Sequence, residues 1–243
     1  MPELPYAQDA SIGRVARITG GIYILYFIAG MPLILRSSLI VPTDAAATAS
    51  KITASEALYR VTIVTDLVSY ALYLGLAYLF YLLLQGVSRR WALLGTLFTI
   101  AGCIVLITAT AALTAPLALL NGNEFPAIGV QERQDLALLA LKLYSQAFVI
   151  GLFLFGVQWL IMGPLFAVSG FMPKAIGYLL TVGGVAWVSF AVATLIAPAA
   201  GRAIQPLVLV VGSLAEFALA AWLLFGRMRS VTVDCLEAKP PTL

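Results

Sequence analysis

Residues Leu58–Tyr81, LYRVTIVTDLVSYALYLGLAYLFY, form an apolar run long enough to cross a bilayer as one helix, and this run decides the class of the protein. It nevertheless contains two full charges, Arg60 near one end and Asp66 further in. Because an ionised group in hydrocarbon must find a partner or lose its charge, Asp66 marks a candidate functional site. Helical spacing places further polar residues on the side of Asp66, namely Thr62, Thr65, Ser69 and Tyr73.

The composition places the whole chain in the membrane class. Of its 243 residues, 62% are hydrophobic and only 10% are charged, whereas a typical soluble domain has about 25% charged residues. The mean hydropathy is +1.01. The net charge of +3 is too small to indicate nucleic-acid binding. We therefore expect the lipid bilayer, and no nucleic acid, as the partner of this chain.

Two scarce residue types exclude several kinds of chemistry. The chain has no histidine, which the usual zinc sites, haem held by two histidines and Ser-His-Asp or Cys-His catalysis all require. Its two cysteines, Cys103 and Cys235, lie in an apolar run and in the C-terminal tail and make no disulfide framework. We expect neither a metal nor a cofactor.

The pattern of apolar runs predicts an all-α, polytopic membrane protein that forms a single transmembrane domain over residues 1–243. Its six predicted spans are 18–35, 56–84, 91–119, 135–168, 175–196 and 207–225. The first exceeds the apolar core of about 7–15 residues in a signal peptide, so we interpret it as a retained helix. In the first outer loop, Asp44–Lys51 predicts a short surface helix capped by Thr43 or Asp44. Residues 230–243 are predicted to form a flexible tail.

An even number of spans puts both termini on one side of the membrane. Positive residues are more frequent on that side, which predicts cytoplasmic N and C termini. The terminal side carries Arg14, Arg17, Arg89, Arg90, Lys174, Arg227, Arg229 and Lys239, and the opposite loops carry Arg36, Lys51, Arg133 and Arg202.

Three of the predicted helices carry charges whose depths can be compared. Counted at 1.5 Å per residue from the expected outer boundaries, Asp66 lies roughly 12 Å deep and Lys142 roughly 10 Å deep, so we expect these two to pair. Arg60 is shallow and off the face of Asp66. Glu216 lies at roughly 17 Å without a cation at its level. We expect Glu216 to be protonated and hydrogen-bonded, a state in which a carboxyl group can carry a proton.

These charges and their neighbours define a predicted network for a ligand or for ion pairing. Tyr70 and Tyr73 lie near the side of Asp66 and serve either packing or hydrogen bonding. An alternative is a purely structural network that fixes which helices meet. The full set is Arg60, Asp66, Tyr70, Tyr73, Lys142, Gln146 and Glu216.

Small residues elsewhere indicate helix packing. The third predicted helix carries Thr96, Thr99, Cys103, Thr110 and Thr114 on one side, which favours helix–helix contact over a transport path. In the fifth, Gly183-Gly184 permits a close neighbour.

Four phrases of the sequence form a recognisable set. They are RSSL at 36–39 with VPTDAAATA at 41–49, Tyr59-Arg60 through Asp66-Leu67, SGFMPKAIG at 169–177, and Glu216 followed by Trp222-Leu223-Leu224. Together they resemble a bacterial integral-membrane family known only as a domain of unknown function (number 4386). The resemblance implies a multi-pass protein of a prokaryotic cytoplasmic membrane and no activity. Members often carry a histidine early in the fourth helix, where this chain has Tyr144 and its neighbours, so any function of such a histidine is lost here.

Two functional hypotheses follow. The first is binding or transport of a small solute, ion or lipid-like ligand at a buried polar site around Asp66, which predicts a cavity that reaches Asp66. The second is an accessory subunit of a larger membrane-protein complex, in which the charges serve only the fold. An intramembrane enzyme is least favoured, because no motif joins the candidate residues Asp66, Glu216, Lys142, Tyr70 and Tyr73.

Overall fold

The computed structural model describes residues 5–121 and 125–226, and all regular structure in these residues is helical. The predicted tail 230–243 lies outside the described residues. The helices are α1 (Pro5–Gly30), α2 (Pro32–Leu39), α3 (Ala45–Ala54), α4 (Glu56–Thr110), α5 (Ala115–Leu120), α6 (Val130–Val168), α7 (Lys174–Ile196) and α8 (Pro198–Phe225).

The long helix α4 contains two membrane spans. Its backbone is extended at Ser88, where φ is −158° and ψ is 105°. The Thr96 hydroxyl donates a hydrogen bond to the Ala77 carbonyl at 3.4 Å. A straight helix would separate these residues by about 28 Å, so the chain turns back near Ser88. The described chain has five helical segments of spanning length, and the reversal inside one of them accounts for the six predicted spans. The orientation of the termini stays a prediction.

Prolines explain where several helix boundaries depart from the predicted ones. The first apolar run is divided into two helices. The first, α1, ends at Gly30, and the second, α2, begins at Pro32 and extends to Leu39, beyond the predicted end at residue 35. The third predicted helix ends at Thr110 instead of residue 119, and Pro116 lies in the first turn of α5. Pro198 begins α8, nine residues before the predicted start at 207. Proline suits the first turn of a helix, since its missing N–H would have no partner there.

The predicted helix in the first loop is α3. Asp44 caps it, with Oδ1 accepting a hydrogen bond from the backbone N–H of Ala47 at 2.8 Å. One face of α3 is buried through Thr48, Ala49 and Ile52. Because the Thr48 hydroxyl also hydrogen-bonds to both the N–H and the carbonyl of Val41, α3 is tied to the segment that follows α2.

Helices α6 and α7 approach each other so closely that their backbones touch at glycines. A Cβ atom on Gly184 would lie 2.8 Å from the Gly156 carbonyl oxygen, and one on Gly163 would lie 2.9 Å from that of Gly177. Two glycines seven positions apart on each antiparallel helix therefore form this contact. The close neighbour predicted for Gly183-Gly184 is confirmed, with Gly184 against α6 and Gly183 next to Ala215 of α8.

The threonine side of α4 is also packed. Thr96, Thr99 and Thr110 are buried, and each hydroxyl bonds to the carbonyl four residues earlier. These hydroxyls therefore have partners within their own helix and leave the surface free for packing, as the packing interpretation expects. Thr114 of the predicted set is exposed.

Candidate functional site

The partner of Asp66 is Arg36. Arg36 lies in the last turn of α2, and its Nη1 is 2.7 Å from Oδ2 of Asp66 on α4. The two side chains are only 1% and 4% exposed. Asp66 lies ten residues into α4, which places it about 15 Å along the helix. Asp66 therefore has a charged partner, as expected for an acid in an apolar helix.

Three further residues complete this cluster, which we call the Arg36 network: Arg36, Thr62, Asp66, Tyr70 and Tyr144. The Tyr144 hydroxyl donates to Asp66 Oδ2 at 2.9 Å and accepts from Arg36 Nη2 at 3.0 Å. It is also 3.0 Å from the Tyr70 hydroxyl. Arg36 Nη1 lies 3.4 Å from the Thr62 carbonyl oxygen. Three chain segments, α2, α4 and α6, are thus joined by hydrogen bonds to one ion pair.

The Arg36 network is sealed by an apolar layer on the side of α3. Tyr59 in this layer closes it further, since its hydroxyl donates to the Leu113 carbonyl at 2.8 Å. This buried and paired acid and base differ from the open cavity that the binding-or-transport hypothesis predicts at Asp66. The layer packs against Tyr144 and consists of Leu39, Ile52, Tyr59, Ile63, Leu113 and Leu141.

The predicted pair between Asp66 and Lys142 is wrong. Lys142 and Gln146 are both exposed on α6, whereas Tyr144 is buried. The physical reason is the phase of α6: residues 142 and 146 share one face, and residue 144 lies on nearly the opposite one. Arg60 is also outside the network, because it pairs with Glu56 one turn earlier at 2.7 Å on the exposed side of α4.

Sequence reasoning missed Arg36 and Tyr144. Arg36 directly follows the first apolar run, where the sequence predicts a loop. Tyr144 lies where members of the resembling family often carry a histidine, yet the predicted network includes neither residue. The available signal was Pro32, which can begin a helix as readily as end one. A helix that continues from Pro32 brings the arginine to the level of Asp66.

Glu216 forms a second, separate polar site. Tyr23 of α1 donates a hydrogen bond from its hydroxyl to Glu216 Oε2 at 2.8 Å. The indole groups of Trp159 and Trp187 lie beside the same carboxyl. Tyr73 belongs with this site, since its ring centroid is 6.3 Å from that of Tyr23. The seven predicted residues are thus divided between two sites and the surface.

A groove on the surface of the protein is the third feature. It has a volume of about 440 Å³ and lies between α3, α5 and the start of α6. We call it the α3 groove. Its walls are mainly alanine and leucine, with polar groups from Ser50, Thr53, Arg133 and Gln134. Nη1 of Arg133 is buried and has no hydrogen-bond partner among the described residues.

Comparison with known proteins assigns the family. The sequence model of a family described as "Domain of unknown function (DUF4386)" matches residues 18–226. The chain belongs to the DUF4386 family. No curated protein and no solved structure matches the chain. The DUF4386 match includes the Arg36 network, Glu216 and the α3 groove, and its description names no activity.

The Arg36 network predicts a measurable role for one hydroxyl. Replacing Tyr144 by phenylalanine removes the group that donates to Asp66, accepts from Arg36 and meets Tyr70. We expect the free energy of unfolding to fall by about 1.5–3 kcal/mol, the range for hydrogen bonds to charged groups. Denaturation with SDS in mixed micelles, followed by circular dichroism, measures this change.

Tyr178→Phe is the matched control, because Tyr178 is 61% exposed. We expect a change within about 0.5 kcal/mol. Equal effects of the two substitutions would contradict the assignment of Tyr144 to a buried ionic network.

Proposed function

We propose that this DUF4386 protein binds a small anionic amphiphile, a carboxylate or phosphate group on an apolar chain, in the α3 groove. The observation that carries the proposal is Arg133, which lines the groove and has a buried Nη1 without a partner among the described residues. A guanidinium group forms strong, directional hydrogen bonds to carboxylate and phosphate oxygens. An anionic group is therefore the ligand chemistry that fits this position.

The rest of the groove suits the apolar part of such a ligand. Ala49 of α3 and Leu119 and Leu120 of α5 supply apolar wall. The volume of about 440 Å³ falls within the range of about 300–1,000 Å³ that is typical of small-molecule sites. Leu120 also packs against the apolar layer above the Arg36 network. The groove is therefore continuous with the hydrophobic part of the bundle.

The Arg36 network supports this proposal as a fixed base for the groove. Arg36 holds α2 to α4 and α6, and the Lys51 ammonium group donates to the Ser38 carbonyl at 3.1 Å, which ties α3 to the end of α2. The walls formed by α3 and α6 are thereby held in position.

Because the ion pair beneath the groove is sealed, we favour binding at the surface over passage past Asp66. With cytoplasmic termini, the groove faces the opposite side of the membrane. That orientation and the accessory-subunit alternative remain predictions.

Arg133→Gln tests the proposed function. The protein is reconstituted in phosphatidylcholine nanodiscs, and native mass spectrometry measures binding of oleate, lysophosphatidate, neutral monoolein and inorganic phosphate. We expect oleate and lysophosphatidate to bind the wild type better than monoolein. Loss of the charged hydrogen bond, about 1.5–3 kcal/mol, should weaken their binding roughly 10- to 150-fold in Arg133→Gln.

Arg202→Gln provides the control, since Arg202 is an exposed arginine near the start of α8 and should not affect binding. Inorganic phosphate has the anionic group but no apolar chain. Its binding, compared with that of lysophosphatidate, shows how much of the affinity requires the chain. Binding of monoolein as tight as that of oleate, or an unchanged affinity in Arg133→Gln, would contradict the proposal.

A further inference from the structure

Glu216 differs from Asp66 in having no cation beside it in the described part of the chain. The ion pairs formed among the described residues join Arg36 to Asp66 and Arg60 to Glu56. We propose that Glu216 is a reversible proton-binding site inside the helix bundle, independent of ligand binding in the α3 groove. A proton bound to Glu216 neutralises this carboxyl, as the Arg36 guanidinium neutralises Asp66, so no net negative charge is left in the hydrocarbon region.

The groups around Glu216 come from four helices and carry no positive charge. Tyr23 of α1 donates directly to Oε2 of the carboxyl at 2.8 Å. The other titratable groups near Glu216 are Tyr26 of α1 and Tyr73 of α4, and Cys103 of α4 lies beside both of these tyrosines. Trp159 of α6 and Trp187 of α7 complete the surroundings. Each of these side chains is neutral in its ordinary state.

Two buried polar atoms near the site have no hydrogen-bond partner within residues 5–121 and 125–226. Trp159 is 1% exposed, and its Nε1 is an unpaired donor beside the carboxyl. Gln158 is 0% exposed, its side chain lies beside Tyr73, and its Oε1 is an acceptor without a partner among the described residues. The Trp159 N–H can donate a hydrogen bond when Glu216 is a carboxylate. When Glu216 is protonated, the site holds one more O–H donor, and Gln158 Oε1 is an acceptor that is free to bind a donor. Both protonation states can therefore be accommodated by local rearrangement of hydrogen bonds.

Glu216 also lies nearer the surface of the helix bundle than Asp66. Asp66 is 3% exposed, whereas Glu216 is partly exposed beside α1. Three residues before Tyr23, α1 and α8 are in close contact, since a Cβ atom on Gly20 would lie 2.6 Å from the backbone nitrogen of Leu224.

Labelling of the full chain with dicyclohexylcarbodiimide tests the proposal. The O–H of a protonated carboxyl adds across one C=N bond of this apolar reagent, and the product rearranges to a stable N-acylurea without a leaving group. Mass spectrometry of the digested protein then measures the adduct at Glu216 and at Asp66 between about pH 5 and about pH 9, the range in which buried glutamates titrate.

We expect labelling of Glu216 to exceed that of Asp66 and to fall about tenfold per pH unit above its midpoint, as for loss of one proton. Tyr23→Phe removes a donor to the carboxylate and should move the midpoint to higher pH, a change that a purely structural role would not produce. Glu216→Gln keeps the shape of the acid and should abolish this adduct while the protein elutes as a folded species. Arg133→Gln should leave labelling unchanged.

Three results would overturn the proposal. They are no adduct at Glu216 at any pH, an adduct whose yield does not vary with pH, and protection of Glu216 by Na⁺ at constant pH. The last result would identify a metal-cation site in place of a proton site.

Discussion

Replacing Arg36 by methionine should lower the free energy of unfolding by about 3–5 kcal/mol, the cost of leaving one member of a buried ion pair without its partner. Asp66 would keep its hydrogen bond from Tyr144 but lose its counter-charge at 2.7 Å. Tyr144 and Thr62 would lose the guanidinium group that joins them. Denaturation with SDS in mixed micelles measures the effect.

A double-mutant cycle separates the pair from its members. Asp66→Leu alone leaves Arg36 buried and unpaired, so it should be destabilising to a similar extent, whereas Arg36→Met with Asp66→Leu should recover most of the loss. Arg60→Met is the matched control, because Arg60 and Glu56 are also 2.7 Å apart but their side chains are 58% and 51% exposed. Such an exposed pair contributes about 0–1 kcal/mol.

Equal effects of Arg36→Met and Arg60→Met would show that burial does not determine how much each ion pair contributes to the free energy of unfolding. A double mutant no more stable than the worse single mutant would show that the hydrogen bonds of the Arg36 network, and not its charges, hold α2 in place.

Replacing Gly184 by alanine should destabilise the protein by about 1–3 kcal/mol through overpacking. Its new Cβ atom would lie 2.8 Å from the Gly156 carbonyl oxygen and 2.9 Å from the Leu160 backbone nitrogen. Backbone atoms cannot rotate away as a side chain can, so α6 and α7 would have to separate. Thermal unfolding in mild detergent, followed by circular dichroism, measures this loss.

Gly75→Ala is the control for the higher intrinsic helix propensity of alanine relative to glycine. Gly75 is also inside a helix, but a Cβ atom there meets nothing within 4 Å. Alanine should stabilise this position by about 0.5–1 kcal/mol. Opposite signs for the two substitutions would establish backbone contact as the cause, while stabilisation by both would contradict the close approach of α6 and α7.

The interior side of the first α4 span could be predicted from sequence. Thr62, Asp66, Ser69 and Tyr73 recur at helical spacing, and all four are buried. This inference succeeds because the side on which a polar residue lies follows from the period of its own helix. The cap of α3 was predictable to within Thr43 or Asp44, because a cap depends on neighbours close in the chain. Gly183-Gly184 indicated a close neighbour because glycine has no side chain, but the sequence did not show which helix supplies that neighbour.

The partner of each buried acid was not predictable in this way. Depth counting favoured Lys142 for Asp66, yet the rotation of α6 turns Lys142 outward and Tyr144 inward. Arg36 reaches Asp66 only because α2 continues past Pro32. Tyr23 likewise meets Glu216 from a helix that is distant in sequence.

The amino-acid sequence by itself determined that this chain is a membrane protein built from long apolar helices, and that two of these helices each carry an acid, Asp66 and Glu216. Only the tertiary structure decided how each acid is accommodated, with Arg36 beside Asp66 and the Tyr23 hydroxyl beside Glu216. The physical reason is that hydropathy and helical period act within one helix, whereas pairing depends on the rotation and depth of one helix relative to another. Packing contacts between helices, such as those of Gly156 with Gly184, set these two quantities.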